Sequence, residues 1–191
     1  MAGAALRLKI VQAGEPVLRQ RARPLSPEEI RSAAVQALIG HMRETMRDAP
    51  GVGLAAPQIG QGLQLAVIED RADYQKSLSA EELAARGREP VPFHVIVNPE
   101  IIARSEETDV FHEGCLSLAG FSARVERARS VRVSCLDQWG EARIIEASGW
   151  YARILQHEID HLHGSLYIDR MDPRSFTSQA NYARYRDIES G

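Results

Sequence analysis

Residues 148–164, Ser-Gly-Trp-Tyr-Ala-Arg-Ile-Leu-Gln-His-Glu-Ile-Asp-His-Leu-His-Gly, decide how this chain folds. At 3.6 residues per turn, Trp150, Ile154, His157 and His161 fall on one stripe of a helix, and Leu155, Ile159 and Leu162 on the stripe beside it. Gly164 ends the pattern. A helix apolar on two adjacent faces is buried, so the rest of the chain must supply layers around it.

Upstream of this helix the period changes to two. Strands are predicted at 63–68, 94–97, 108–113, 121–126, 129–137 and 142–147, with turns at Gly120 and Trp139-Gly140. Further back, Ser26-Pro27-Glu28-Glu29 fits a capping box with proline at the first helical position. Ile30, Ala34, Ala37, Leu38, His41, Met42 and Thr45 then predict one long amphipathic helix that Pro50-Gly51 stops. The stretch 71–92 reads as a surface insertion with a short helix capped at Ser79 and stopped at Gly87, and it is compatible with a lid or a dimer contact. The tail 172–191 is polar. The expected class is α+β: mostly antiparallel sheets packed around the central helix of 148–164, with a long N-terminal helix, in a single domain spanning 1–191.

Composition narrows the function. An apolar fraction of 44% and a charged fraction of 26% are those of an ordinary globular chain, and a net charge of −3 without like-charge runs offers no footprint for nucleic acid or anionic lipid. No apolar run reaches the roughly 20 residues of a membrane span, and Arg7 and Lys9 interrupt the place where a signal peptide needs its apolar core. A cytoplasmic setting is expected, with an organelle open if a transit peptide has been removed. Two cysteines, Cys115 and Cys135, are too few for a disulfide framework.

His157-Glu158-Ile159-Asp160-His161 has the H-E-x-x-H pattern. Helical positions four apart are offset by about 40°, so both imidazoles can face one ion, while Glu158, rotated about 100° from His157, can reach a water held by that ion. Hydrolysis needs such a carboxylate, which takes the water's proton and passes it to the leaving nitrogen. Two histidines hold a catalytic metal poorly, so a third ligand is expected. Cys115 is the candidate: it follows Gly114, which permits a sharp turn, and precedes Leu116, whose amide N–H can lie beside the metal. The alternative is a buried, inert cysteine, which Cys135 in its alternating strand fits better. His41, His94, His112 and His163 lack ligand geometry and read as structural or surface residues.

Gly51-Val52-Gly53-Leu54-Ala55-Ala56 also satisfies a dinucleotide fingerprint, with Asp70 near the place of its acid. The context is wrong, because a helix precedes it and Pro57 follows. The segment reads as a conformationally permissive loop ending in Gln58, whose side-chain N–H can bond a substrate oxygen; a simple structural turn is the other reading.

GVGLAAPQIG at 51–60, EGCLS at 113–117 and QHEIDHLHG at 156–164 together resemble the signature motifs of peptide deformylases. IVQAGEPVLR and SGWYARILQHEIDHLHGSLYIDRM extend the likeness over roughly residues 10–172, and the SGW and the 71–92 insertion are similar to the plant and mitochondrial type and related bacterial enzymes. The resemblance implies removal of the formyl group from N-terminal formyl-methionine of nascent polypeptides. It implies metal ligation by Cys115, His157 and His161, Glu158 as acid–base, and Gln58 with the Leu116 N–H as oxyanion donors. Gly53 and its neighbours, with Gly114, would bind the peptide as an extended strand. One divalent ion per chain is implied, ferrous iron in most relatives, with zinc, nickel or cobalt as substitutes that a thiolate and two imidazoles accept. Ribosome association and a choice of monomer or homodimer stay open.

Ala119 and Ser122 stand where many relatives carry proline and arginine, and His163 replaces a commoner acidic or apolar residue. Two other readings compete. A zincin-type metallopeptidase would need a downstream third ligand, and a non-enzymatic metal-stabilised module would need a fourth ligand and would leave Glu158 idle.

Overall fold

The structure, a computed structural model, describes residues 6–185. Ser26 caps the first helix, α1 (Pro27–Arg31): its hydroxyl accepts the Glu29 N–H, and the Glu29 carboxylate accepts the Ser26 N–H. The single long helix expected to follow is in fact two. Ser32 swings into an extended conformation, its hydroxyl donating to Glu29 O while also accepting the Val35 N–H, and so caps α2 (Ala33–Asp48). A serine hydroxyl that competes for backbone groups breaks the helix here and resets its phase. The buried stripe of α2 is therefore Val35, Ile39, Met42, Thr45 and Met46, whereas Ala34 and Ala37 are exposed.

The glycine-rich segment departs further from expectation. It holds a buried strand, β1 (Gly53–Ala55), and a 3-10 turn (Ala56–Ile59) closed by left-handed Gly60. β2 (Leu65–Asp70) follows. The 71–92 insertion contains α3 (Ala72–Gln75) and α4 (Ala80–Arg86), the latter with the capping box at Ser79 and the left-handed stop at Gly87. Its return is anchored, because Arg88 forks onto Asp70, which is fully buried. Asp70 thus neutralises an arginine instead of serving a nucleotide.

β3 (Val91–Arg104) is much longer than the predicted 94–97. Asn98 lets it bend: φ is +48°, and its side chain accepts from Leu25 N and donates to Leu25 O. β4 (Thr108–Gly114), β5 (Phe121–Ala128), β6 (Ser130–Leu136) and β7 (Ala142–Ser148) lie close to the predicted strands, and α5 (Gly149–Leu162) is the expected central helix. The described part of the polar tail forms β8 (Thr177–Ser178) and α6 (Gln179–Tyr185); residues 186–191 lie outside the described residues.

All named strand pairs are antiparallel. One sheet runs β1-β2-β3-β6-β7 and the other β4-β5-β8. Strand alternation sends Leu54, Leu65, Val67, Val95 and Val97 toward α2, and Ala55, Ala66, Ile68, Ile96, Val131 and Val133 toward α5. The opposite side of α5 meets the small sheet. This layering puts α5 between two sheets, with Gly53 of edge strand β1 and Gly114 of edge strand β4 both bordering the groove that Trp150 and His157 of α5 line.

Candidate metal centre and substrate groove

Cys115 follows directly on β4, and the β4–β5 hairpin carries it to the His-Glu face of α5. Its Sγ lies 3.3 Å from His161 Nε2, and ligand atoms of Cys115, His157 and His161 all fall within 4.8 Å of one another. Three such donors, one thiol and two imidazoles, are near enough to one another to hold one metal ion. Cys135 stays in the core, where burial pushes its thiol up to about 11.

The donor set carries the marks of a cation site. Burial works against a charged His157, yet hydrogen bonds and charges from Cys115 and Glu113 override it and hold its pKa well above the usual value. His161 goes the other way, kept well below by burial and by the charge of His157. Glu158 Oε2 and His161 Nδ1 are buried with no hydrogen-bond partner among the described residues. Such atoms cost about 1–3 kcal/mol each unless a ligand or water meets them. Burial also pushes the Glu158 carboxyl up to about 7, near the range where a proton carrier works best, and a divalent ion beside it would pull it down again.

The environment of the candidate ligands includes residues that the sequence reading did not single out. Glu113 accepts a 3.0 Å bond from His157 Nδ1, which directs Nε2 toward Cys115. Arg127 forks onto the same carboxylate and bonds Asp160, while Arg153 bonds Glu113 and the Val125 carbonyl. Although burial alone would raise it, the Glu113 carboxyl is held well below the ordinary range by His157 and Arg127. Arg153, His157 and Asp160 are spaced four and three apart on α5, so one helix face meets the charges of one hairpin. One signal was present in the sequence: Arg127 continues the inward row of Ala123 and Val125.

Gln58 is buried and held by its own backbone. Its Oε1 accepts the Ala55 N–H at 2.9 Å, which turns Nε2 toward Cys115 Sγ and Ser117 Oγ, 3.5 and 3.3 Å away. The Leu116 N–H takes no part in a hydrogen bond among the described residues. Both donors open on a groove of about 470 Å³, also bordered by Pro50, Gly53, His112, Trp150, Glu158 and Gln179.

The glycines here act by close approach and not by the conformational freedom expected of them. Gly51, Gly53 and Gly114 all have ordinary φ. A Cβ on Gly51 would meet the Leu116 side chain at 2.8 Å, one on Gly114 would meet Gln179 Nε2 at 3.1 Å, and one on Gly53 would enter the Glu158 carboxylate, 2.6 Å from Cδ. Glu158 is only 3% exposed and has little room to retreat. Gly53→Ala is expected to lower kcat by roughly a hundredfold, as misplacing a reacting group by about 1 Å does, with bound metal unchanged. Steady-state kinetics beside metal analysis checks it, and a kcat within tenfold of the parent would show that the carboxylate tolerates the shift.

Comparison with known proteins points to one family. The sequence pattern of the polypeptide deformylase family matches residues 7–177. Peptide deformylase 1A, chloroplastic, of Solanum lycopersicum is 48% identical over 172 residues, covering 90% of this chain and 62% of that protein. The mitochondrial peptide deformylase of Homo sapiens is 41% identical, covering 88% of this chain and 70% of that protein. This chain thus spans less than two thirds of the plant relative. Among solved structures, a class I type b peptide deformylase from Acinetobacter baumannii bound to Met-Ala-Ser superposes with a TM-score of 0.78 at 32% identity, covering 88% of this chain and all of that one.

Proposed function

The chain belongs to the peptide deformylase family, and from that premise we propose that it is a metal-dependent hydrolase that removes the formyl group from N-terminal formyl-methionine of nascent polypeptides. The observation that carries the proposal is one groove in which a thiol and two imidazoles converge beside an unpartnered buried carboxylate, Glu158. A divalent ion bound by Cys115, His157 and His161 would polarise the formyl carbonyl and acidify a water. Glu158 takes the proton from the attacking water and delivers it to the amide nitrogen as formate leaves. Gln58 Nε2 and the Leu116 N–H donate to the oxyanion, a contribution of about 3 kcal/mol per well-placed donor. Gly53 and Gly114, on the free edges of β1 and β4, leave room for a peptide lying extended between them. The tripeptide bound in the Acinetobacter baumannii relative is consistent with this mode.

Ferrous iron is the proposed physiological ion, with zinc, nickel or cobalt as substitutes. A nascent substrate puts the enzyme at or near the ribosome, in the cytoplasm or an organelle that starts chains with formyl-methionine. One chain supplies every residue of the site, so a monomer suffices and a homodimer is compatible. Among the described residues no downstream His or Glu joins the ligands, as a zincin-type peptidase would need, and no fourth ligand closes the site, as a structural module would need.

The protein loaded anaerobically with ferrous iron is expected to release formate from formyl-Met-Ala-Ser and to leave internal peptide bonds intact, read by formate assay and mass spectrometry. Internal cleavage without formate release would instead establish the peptidase reading.

A further inference from the structure

The family pattern ends at residue 177, yet the chain continues into the groove. Thr177 and Ser178 pair with Ser122 and Phe121, and the Gln179 N–H donates to Gly120 O at 2.9 Å. Aromatic stacks hold the segment on both sides: Phe176 on Phe121 with ring centres 5.1 Å apart, and Tyr182 on His112 at 4.1 Å. Between these stacks the Gln179 side chain reaches over Gly114 at the free edge of β4, and its amide makes no hydrogen bond among the described residues. A side chain on residue 114 would press against that amide, so the glycine leaves it a place.

We propose that Gln179 is a substrate-binding residue of this chain, its amide hydrogen-bonding the main chain of the peptide downstream of the formyl-methionine. The inference rests on the deformylase reading. An uncharged amide carries both a donor and an acceptor, the complement of a peptide unit. It therefore binds backbone without choosing among side chains, as a substrate class of varied sequence requires. Its place at the rim, beyond Gly114 from the ligands, assigns it to residues after the methionine and not to the reacting bond.

The test compares wild type and Gln179→Ala, both loaded with the same metal, on formyl-methioninamide, formyl-Met-Ala-Ser and a formyl tetrapeptide, with calorimetric binding of the product Met-Ala-Ser. For the tripeptide and tetrapeptide, KM is expected to rise about three- to tenfold, the worth of one hydrogen bond. KM for formyl-methioninamide stays unchanged, kcat stays within twofold, and the Kd of Met-Ala-Ser rises by the same factor. Gln179→Glu, which keeps the acceptor and loses the donor, divides the effect between the two groups. A KM that is unchanged for every length, or that shifts equally for all, overturns the assignment. A lower kcat on every substrate together with a lower Tm would give Gln179 a structural role and overturn it as well. If wild type releases no formate from any of the three, the deformylase reading itself has failed, which is a different result from loss of the length effect alone.

Discussion

Glu158→Ala is expected to lower kcat on formyl-Met-Ala-Ser by at least about a thousandfold while the protein keeps one metal per chain. The loss follows from geometry. Two buried carboxylates line the groove: Glu113 has both oxygens committed to His157, Arg127 and Arg153, whereas Glu158 keeps Oε2 without a hydrogen-bond partner among the described residues and is the one left to carry a proton. General acid–base catalysis contributes about 10²–10⁴-fold, and in the proposed reaction one group serves both the attacking water and the leaving nitrogen. Metal should stay because Cys115, His157 and His161 are untouched. The measurement pairs single-turnover kinetics with metal analysis of the same sample. Activity retained with metal bound would mean that another group moves the proton, and the proposed mechanism would not survive it.

Glu113→Ala is expected to cost about 3–5 kcal/mol of stability and to weaken metal binding about 10–100-fold. Deleting this carboxylate leaves Arg127 and Arg153 without their shared partner in a site where both side chains are no more than 5% exposed. It also frees His157 Nδ1, so the ring is no longer held for the metal. Exposure decides the scale of the effect. Arg132–Glu146, an ion pair with side chains 53% and 76% exposed, is screened by solvent and should be worth at most about 1 kcal/mol. Urea unfolding of the two variants Glu113→Ala and Glu146→Ala separates the cases at unchanged m. A Glu113→Ala loss below about 1 kcal/mol would show that the cluster is hydrated and that water screens its charges. Glu113→Gln keeps an acceptor for His157 and should recover part of the metal affinity.

Much of the molecule could be read along one dimension because local physics writes it there. Period two located β4 to β7 to within a residue or two at most ends, and the capping boxes at Ser26 and Ser79 form as their side chains dictate. The spacing of His157, Glu158 and His161 needs only 3.6 residues per turn to put two imidazoles and a carboxylate on neighbouring directions. Where the reading slipped, a short-range rule met a competitor. Ser32 used its hydroxyl against the helix backbone and shifted the buried face of α2. Gly53 looked like part of a conformationally permissive loop, but it is a strand residue made small by the carboxylate opposite it.

What only the tertiary structure decided are the meetings between distant segments. Cys115 could have been an inert core thiol, and the β4–β5 hairpin brings it to histidines more than 40 positions away. Glu113 becomes the partner of His157 by the same pairing, and Gln179 enters the groove through two aromatic stacks and two bridges to β5. The helix 148–164 therefore determined by itself that the chain has a buried core helix and two candidate ligands on one face. The proposed third ligand, the carboxylate behind it and the far wall of the groove depend on long-range packing, because helical spacing specifies neighbours within a few residues and says nothing of which strand edge closes over them.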